Sequence, residues 1–175
     1  MRLFIAINFS EATVAALAQA RDELRELTRG KGSFPPDINL HLTLAFLGET
    51  PPERAADALD AMRAAAGRPF DVTFDRAGRF KRDGGDIWWA GGPDNPALIA
   101  VQRRLARELA ERGFVLESRR FTPHVTLARR VILGIERPAL IKAPVSERVE
   151  ALSLMRSELG HGAPKYTELS RVLFT

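Results

Sequence analysis

The chain has 175 residues, of which 45% are hydrophobic and 27% are charged, and its formal net charge at pH 7 is +4. This composition is typical of one ordinary globular domain, and no apolar run approaches the roughly 20 residues that a membrane helix needs. The chain contains no cysteine, which excludes disulfides, thiolate nucleophiles and cysteine-based zinc sites. We therefore expect a cytoplasmic protein, and the positive charge suits a polyanionic partner.

The first part of the chain is predicted to form a strand, a helix and a loop. Residues 2–8 have the apolar pattern of a buried first strand rather than of a signal peptide. Ser10 is the predicted N-cap of a helix that ends at Gly30. The apolar stripe of this helix comprises Val14, Leu17, Leu24 and Leu27. Arg21 falls on the same stripe and is expected to snorkel to solvent, and residues 31–39 form a loop.

The middle of the chain is predicted to contain a helix and two strands. A capping box over residues 50–53, Thr-Pro-Pro-Glu, starts the helix. Its apolar stripe comprises Ala55, Leu59, Met62 and Ala66. Residues 70–74 alternate as a strand, and a turn over residues 83–85 leads into a strand over residues 86–90.

The last part of the chain is predicted to contain a helix followed by strands. The helix begins at Asn95 and Pro96 and ends at Gly113. Its apolar stripe comprises Leu98, Val101, Leu105 and Leu109. Strands are predicted over residues 121–129, 148–155 and 166–174, and residues 131–145 show no clear pattern.

Two short segments of the chain repeat each other. His41-Leu-Thr-Leu-Ala45 and His124-Val-Thr-Leu-Ala128 share the His, the Thr, the second Leu and the Ala, and they use two of the three histidines. Such self-similarity marks a duplicated supersecondary unit. We therefore predict one two-lobed α+β domain over residues 1–175, with repeats over roughly 1–78 and 86–175. Two antiparallel or mixed sheets are expected to face a central cleft, with the helices on the outside.

Strand alternation gives each repeated segment one polar face. His41 and Thr43 share a face, as do His124 and Thr126, and the two side chains of each pair are separated by about 6.5–7 Å along the backbone. The intervening aliphatic residues point into the core. If a pseudo-twofold axis relates the repeats, both His/Thr pairs meet at one point between the lobes.

Two histidines that face one substrate can act as general base and general acid, because the ordinary pKa of imidazole is about 6.5. Threonine hydroxyls can donate hydrogen bonds to the non-bridging oxygens of a bound anion. This set suits displacement at a phosphodiester, and a strained cyclic phosphate is an easier target than a plain diester. The sequence has no H-E-x-x-H segment and no tight Asp/His cluster, so we expect neither a metal nor a cofactor.

Four segments of the chain resemble one family. They are Met1–Ile7, Leu40–Gly48, Phe121–Arg129 and Leu154–Leu159. They resemble the two-histidine phosphoesterase superfamily, and within it the bacterial and archaeal RNA 2′,3′-cyclic phosphodiesterases, also called 2′-5′ RNA ligases. The resemblance implies a metal-independent monomer that hydrolyses RNA 2′,3′-cyclic phosphate to a 2′-phosphomonoester, with weak reversible 2′-5′ joining. The implied partners are RNA ends, tRNA fragments among them, and no membrane.

The resemblance also implies a role for each site residue. His41 would protonate the departing 3′ oxygen and His124 would activate water, although the residues alone leave this direction open. Thr43 and Thr126 would hold the phosphate, Arg129 would add positive charge, and Phe46 would stack on a base. Phe46 and Arg129 both follow their histidine by five positions, where strict alternation turns them away from the histidine face. A β-bulge or a strand end is therefore predicted in each strand.

Each of these residues also has a purely structural interpretation. The histidines could be hydrogen-bonded in a core, the threonines could be plain β-formers, and Phe46 could be buried. One residue of the Arg129-Arg130 pair is expected to be a solvated surface charge. Trp88 and Trp89 point to opposite faces of their strand, so at most one of them belongs to the core. His161 and Tyr166 lie in or beside a glycine-rich loop.

Other functions are compatible with the same residues. Within enzymes, the alternatives are a 2′-5′ RNA ligase and a phosphodiesterase for 2′-5′-linked oligonucleotides. In another class, the alternative is a non-catalytic module that binds RNA ends. The intact His and Thr in both copies favour an enzyme, because binding requires hydroxyls and arginines more than two titrating imidazoles.

Overall fold

The computed structural model describes residues 1–134 and 138–175, and this part of the chain contains three α-helices and nine β-strands. The helices are α1 (Glu11–Leu27), α2 (Ala55–Ala65) and α3 (Pro96–Glu111). The strands are β1 (Arg2–Ile7), β2 (Leu42–Glu49), β3 (Phe70–Phe74), β4 (Arg76–Phe80), β5 (Asp86–Gly91), β6 (Val125–Val131), β7 (Val145–Val149), β8 (Ala151–Glu158) and β9 (Lys165–Leu173). This content confirms the predicted α+β class.

The strands form one large sheet and one small sheet, all with antiparallel pairing. The large sheet has seven strands in the order β4-β5-β6-β2-β1-β8-β9, and β3 pairs with β7 in the small sheet. The two halves of the large sheet meet where β2 pairs with β6, and that pairing consists of Leu42 opposite Val125. The half-sheets β4-β5-β6 and β2-β1-β8-β9 are therefore joined through one pair of residues.

The two faces of the large sheet have different coverings. One face contributes alternate strand residues such as Leu3, Ile5 and Leu42 to a large core, which also contains the buried sides of all three helices. The other face carries a small separate cluster of Phe4, Ala6 and Met155, with Tyr166 packed against it. Because the helices cover the first face, the second face is available for a cleft.

Helix α1 largely follows its prediction. The Ser10 hydroxyl caps it by accepting a hydrogen bond from the backbone N–H of Thr13, and Leu17 and Leu24 are buried. Two expectations were wrong. Leu27 lies at the frayed end of the helix and is 43% exposed. Arg21 does not reach solvent, because its guanidinium is buried against the Asp37 carboxylate, the Pro35 carbonyl and the Asp22 carboxylate.

The other two helices differ in how well the sequence predicted them. In α3, the Asn95 side chain caps the helix and the whole predicted apolar stripe is buried. The capping box before α2 was wrong, because a 3₁₀ helix over Pro52–Arg54 separates α2 from Thr50. The Thr50 hydroxyl donates to the Gly48 carbonyl instead. Of the predicted α2 stripe only Met62 is fully buried, since the buried face is completed by alanines: Ala58, Ala61 and Ala65.

The strand predictions missed β4 and misplaced others. Strand β4 has no apolar alternation, and it forms because its backbone pairs with β5. The predicted strand over 148–155 is in fact the end of β7 and most of β8, which are separated at Glu150. Strand β6 begins at Val125, four residues later than predicted. Part of the unassigned segment 131–145, residues 135–137, lies outside the described residues.

The order of elements preserves the repeat only in part. Strand, helix and motif strand occur as β1-α1-β2 and again as β5-α3-β6. Helix α2 follows the first motif strand, whereas no helix follows β6 in the described part of the chain. The division into repeats over roughly 1–78 and 86–175 stays a prediction. No helix within residues 1–134 and 138–175 combines the length and apolar character that crossing a bilayer requires.

Candidate active site

The two repeated segments lie side by side at the junction of the half-sheets. Leu42 pairs with Val125 in antiparallel register. In such a register the residues on either side of the pair face each other crosswise, which places His41 across from Thr126 and Thr43 across from His124. The local twofold axis of the pair relates the two copies. Since Leu42 and Val125 point into the core, the four polar side chains share the opposite face.

Both imidazoles are oriented by the same backbone device. His41 Nδ1 lies 2.7 Å from the carbonyl oxygen of Asn39, and His124 Nδ1 lies 2.6 Å from that of Thr122. A carbonyl only accepts hydrogen bonds, so Nδ1 carries the proton in each ring and donates it. The other nitrogen, Nε2, is then unprotonated in the neutral ring. Each histidine is thus fixed in the tautomer that leaves Nε2 free for proton transfer.

His41 sits in an aromatic and half-buried environment. Its ring centroid is 5.0 Å from that of Phe4 and 5.2 Å from that of Tyr166, which it meets edge-on at 78°. The Thr43 hydroxyl donates to its Nε2 at 3.0 Å. The pKa of His41 is lowered from 6.5 to about 4, mainly by burial; the Asn39 hydrogen bond opposes this, and charge on His124 and Arg129 adds to the lowering.

His124 also lies against an aromatic ring, but a different one from those beside His41. The Phe80 ring stands at 90° to it with a centroid distance of 5.1 Å. Burial lowers the pKa of His124 below its ordinary value, the Thr122 hydrogen bond opposes this, and the charge of Arg129 adds to the lowering. Burial thus favours the neutral form of both imidazoles in the absence of a ligand, and a bound anion would favour protonation of one of them.

The β-bulges that were predicted from the sequence are present in both strands. Between β1 and β2 the register skips Leu44, and between β5 and β6 it skips Leu127. These leucines occupy the same place in the two repeats, three residues after each histidine. Each bulge reverses the alternation, so a side chain five residues after the histidine returns to the histidine face.

The bulges bring Phe46 and Arg129 to the cleft. Phe46 pairs with Phe4, whose ring is 6.3 Å from its own, and it is 56% exposed, which argues against a core role. Arg129 is exposed, and its charge acts on His41, His124 and Tyr166 together. The same offset thus presents an open aromatic ring in one copy and a cation in the other.

The backbone of Arg129 is held from two sides. Its N–H and carbonyl both bond to Ser33, each at 2.8 Å. On the other side, Gly85 has φ of +128°, and a Cβ there would lie 2.5 Å from the carbonyl carbon of Arg130. Arg130 itself has φ of +56° and is exposed, so the strand is irregular just after Arg129. Glycine is needed at position 85 for both its backbone angle and its close approach.

Several residues of the site were not assigned from the sequence. Phe80 lies on the missed strand β4, and no pattern marks it. Tyr166, the single tyrosine, has no role predicted from the sequence and lies edge-on against His41. Of the two tryptophans, Trp88 is in the core at 3% exposure, and Trp89 lies on the other face with its ring 5.5 Å from that of Phe80. His161 is exposed in the loop between β8 and β9.

The structure thus brings together the side chains that carry the predicted chemistry. His41, Thr43, His124 and Thr126 form a crossed group, with Arg129 beside it. Within the described ranges, no three or more residues among His, Cys, Asp and Glu cluster in a way that could hold a metal ion. The arrangement offers two Nε2 atoms, two hydroxyls and one guanidinium to a bound anion.

Comparison with known proteins decides the family. A family model described as the 2′-5′ RNA ligase superfamily matches residues 11–161. The RNA 2′,3′-cyclic phosphodiesterase of Thermus thermophilus is 35% identical, over 98% of this chain and 89% of its own length. The chain belongs to the 2′-5′ RNA ligase superfamily. The RNA 2′,3′-cyclic phosphodiesterase of Escherichia coli is 33% identical, over 81% of this chain and 84% of its own length.

Solved structures of the superfamily share the whole fold. Escherichia coli LigT complexed with 3′-AMP superposes with a TM-score of 0.84 at 29% identity, covering 99% of this chain and 98% of its own. A protein of Thermus thermophilus superposes with a TM-score of 0.83 at 31% identity, with the same two coverages. The superfamily assignment and the α+β architecture predicted from the sequence are therefore confirmed.

Proposed function

We propose that this protein is a metal-independent enzyme that hydrolyses the 2′,3′-cyclic phosphate at RNA ends to a 2′-phosphomonoester. The observation that carries the proposal is the crossed group of two His/Thr pairs about one antiparallel register. The proposal is supported by the relatives in Thermus thermophilus and Escherichia coli, both named RNA 2′,3′-cyclic phosphodiesterase. Binding of 3′-AMP by Escherichia coli LigT supports a nucleotide ligand.

The reaction uses the two Nε2 atoms on opposite sides of the phosphorus. His124 takes a proton from a water molecule as the water oxygen attacks phosphorus, and the bond from phosphorus to the 3′ oxygen breaks. His41 gives a proton to that departing oxygen. One proton is taken up and one is released, so the pair is restored by proton exchange with solvent. The product carries its phosphate on the 2′ oxygen.

The remaining side chains hold the anion. In the ligand-free site the Thr43 hydroxyl donates to His41 Nε2. When His41 is protonated, that hydroxyl is released and can donate to a non-bridging oxygen, as can the hydroxyl of Thr126. Arg129 offsets the negative charge of the phosphate, and the exposed ring of Phe46 stacks on a base. The anion in turn raises the pKa of the protonated imidazole, which readies His41 as the acid.

A direct assay tests the function. The purified protein is incubated with an RNA oligonucleotide that ends in 2′,3′-cyclic phosphate, with EDTA present, and the monoester that accumulates is identified. We expect the 2′-phosphomonoester, at a rate that EDTA does not change. Accumulation of the 3′ isomer, loss of turnover with EDTA, or binding without turnover would each contradict the proposal.

The direction of the proton transfers has its own test. A substrate with sulfur in place of the bridging 3′ oxygen has a leaving group that needs no proton, since a thiolate is far more stable than an alkoxide. This substrate should restore most of the activity that His41→Ala loses, whereas His124→Ala should stay inactive. Rescue of His124→Ala instead would exchange the two roles.

The second candidate activity is 2′-5′ joining, which the description of the matching superfamily favours. A 5′-hydroxyl that replaces water in the same displacement forms a 2′-5′ phosphodiester. Adding an RNA acceptor with a free 5′-hydroxyl to the same assay measures the ratio of joined to hydrolysed product. We expect hydrolysis to dominate, because water is present at far higher concentration.

The same geometry supports proposals about the substrates and the state of assembly. One chain supplies both copies of the motif, so a monomer contains the complete set of reacting groups, and sedimentation should give a monomer. RNA ends with a cyclic phosphate, those of tRNA fragments among them, fit the requirement for an anionic terminal group. The absence of cysteine suits the reducing cytoplasm.

A further inference from the structure

A groove of about 870 Å³ adjoins the active site. Thr122 and Pro123, which immediately precede His124, form part of its lining. The start of α3 and the end of β3 form other parts, and the apolar floor includes Phe74 and Leu98. A volume of this size lies within the range of about 300–1,000 Å³ that holds ligands as large as a nucleotide. The reaction proposed above does not use this space.

The lining of the groove is positively charged. It contains Arg76, Arg103 and Arg120, whereas Asp94 is the one acidic residue among the described residues that line it. Arg76 is bound to the neighbouring Asp75 carboxylate at 2.7 Å. Arg103 and Arg120 are exposed and form no ion pair with any residue in the described ranges. Two arginine side chains are therefore available for a polyanion.

Trp89 connects the groove with the reacting groups. Its side chain lines the groove, and its ring is 5.5 Å from that of Phe80, which in turn stands against His124 at 5.1 Å. Thr122 makes a second connection, because it lines the groove and its own backbone carbonyl accepts the hydrogen bond that orients His124. The groove thus borders the reacting groups at residues 122–123 and at the Trp89–Phe80 pair.

We propose that the groove binds the RNA strand next to the reactive end, with backbone phosphates one or two nucleotides upstream contacting Arg103 and Arg120. This inference rests on the function proposed above and adds to it a second region of contact with the RNA strand, away from the reacting groups. A basic groove with one aromatic wall is the usual platform for single-stranded nucleic acid, because arginines follow the backbone and the indole accepts any base.

The test compares two substrates of different length. One is adenosine 2′,3′-cyclic phosphate, which reaches only the reacting groups, and the other is an RNA octamer that ends in the same cyclic phosphate. Wild type is compared with the double variant Arg103→Ala/Arg120→Ala. The matched control is Arg68→Ala, an exposed arginine before β3, at the end of that strand away from the groove. Thermal unfolding establishes that the variants are folded.

For the octamer, we expect the double variant to raise KM about tenfold at low salt with kcat unchanged. The slope of log KM against log salt should fall by about 1.4, since each lost phosphate contact on a single strand contributes about 0.7. For the mononucleotide, kcat and KM should stay within twofold of wild type, and Arg68→Ala should change neither substrate.

Other outcomes would overturn either RNA binding in the groove or the proposed hydrolytic function. Equal KM values of the variant and wild type for the octamer would mean that RNA does not enter the groove. Equal losses for both substrates would place the arginines in the reacting site itself. Failure of wild type to hydrolyse the mononucleotide and the octamer alike would instead refute the proposed function.

Discussion

The two copies of the His-x-Thr segment use the same backbone devices and differ in what surrounds them. In both, a carbonyl two residues before the histidine fixes the ring, and a leucine bulge three residues after it turns the strand. Around the first copy are Phe4, Tyr166 and the open ring of Phe46. Around the second are Phe80 and the cation Arg129.

This comparison shows which parts of a duplicated unit are free to diverge. The devices that orient an imidazole are backbone hydrogen bonds and register, and both copies retain them. The position five residues after each histidine is not fixed by these backbone contacts, so one copy presents the exposed ring of Phe46 there and the other the guanidinium of Arg129. We therefore expect that substituting a histidine affects the chemical step, and that substituting Phe46 or Arg129 affects substrate binding.

The largest effect is expected from removing either imidazole. His41→Ala and His124→Ala should each lower kcat by about two to four orders of magnitude, which is the usual contribution of general acid–base catalysis. Measured turnover of an RNA 2′,3′-cyclic phosphate checks this. The control is His161→Ala, the third and exposed histidine, which should retain full activity. Full activity in either single variant of the pair would contradict shared acid–base chemistry.

Substitutions of Arg129 and Phe46, five positions after each histidine, should change KM, whereas substitutions of the histidines should change kcat. Arg129→Ala removes a cation beside both imidazoles, and we expect KM to rise about tenfold or more while the histidine pKa values rise. Phe46→Ala removes a base-stacking surface and should raise KM by less, roughly tenfold at most. Proton NMR titration of the imidazoles gives the pKa values. An unchanged pKa of His41 in Arg129→Ala would place the guanidinium outside the cleft.

The backbone support of Arg129 can be tested with two adjacent glycines. Gly84 and Gly85 both have positive φ, but a Cβ on Gly84 meets nothing within 4 Å, whereas one on Gly85 would lie 2.5 Å from the Arg130 backbone. Both alanine substitutions incur the backbone cost of about 1 kcal/mol. We expect only Gly85→Ala to raise KM as well, by severalfold, because it displaces Arg129. Equal KM values for the two variants would show that Gly85 does not help to position Arg129.

A separate effect concerns the dependence of stability on pH. The pKa of His41 is about 4 in the folded protein and 6.5 in the unfolded chain, so between these values the unfolded chain binds more protons. The free energy of unfolding should therefore fall as pH decreases from 6.5 to 4, by about 3 kcal/mol from this residue. Urea unfolding of wild type and His41→Asn across this range checks the sign. Parallel curves for the two proteins would contradict the low pKa.

How much of this could be predicted from the sequence depended on the kind of signal. The repeated segments and the α3 stripe follow from side-chain patterns, and the need for a bulge follows from alternation together with the roles that the family resemblance implies for Phe46 and Arg129; the structure confirms all three. Strand β4 was missed because backbone pairing with β5 forms it, without apolar alternation. The α2 stripe was misjudged because small alanines bury as readily as leucine does.

The surroundings of the site depend on contacts between distant parts of the chain. Tyr166 and Phe80 reach the histidines from strands that lie far away in sequence, so local spacing carries no signal for them. Arg21 was expected at the surface, yet its partners Asp37 and Pro35 lie in the loop before His41 and enclose its charge. Such arrangements are set by tertiary structure, which a local pattern does not encode.

The central claim is that both imidazoles act on one phosphorus atom, and NMR of the imidazole nitrogens tests it most directly. The protein, labelled with ¹⁵N at histidine, is titrated with adenosine 2′-monophosphate, the mononucleotide form of the proposed product. We predict that the Nε2 signals of His41 and His124 shift together with one shared Kd, while those of His161 do not move. Shifts at only one of the two histidines, or two different Kd values, would contradict a single shared site.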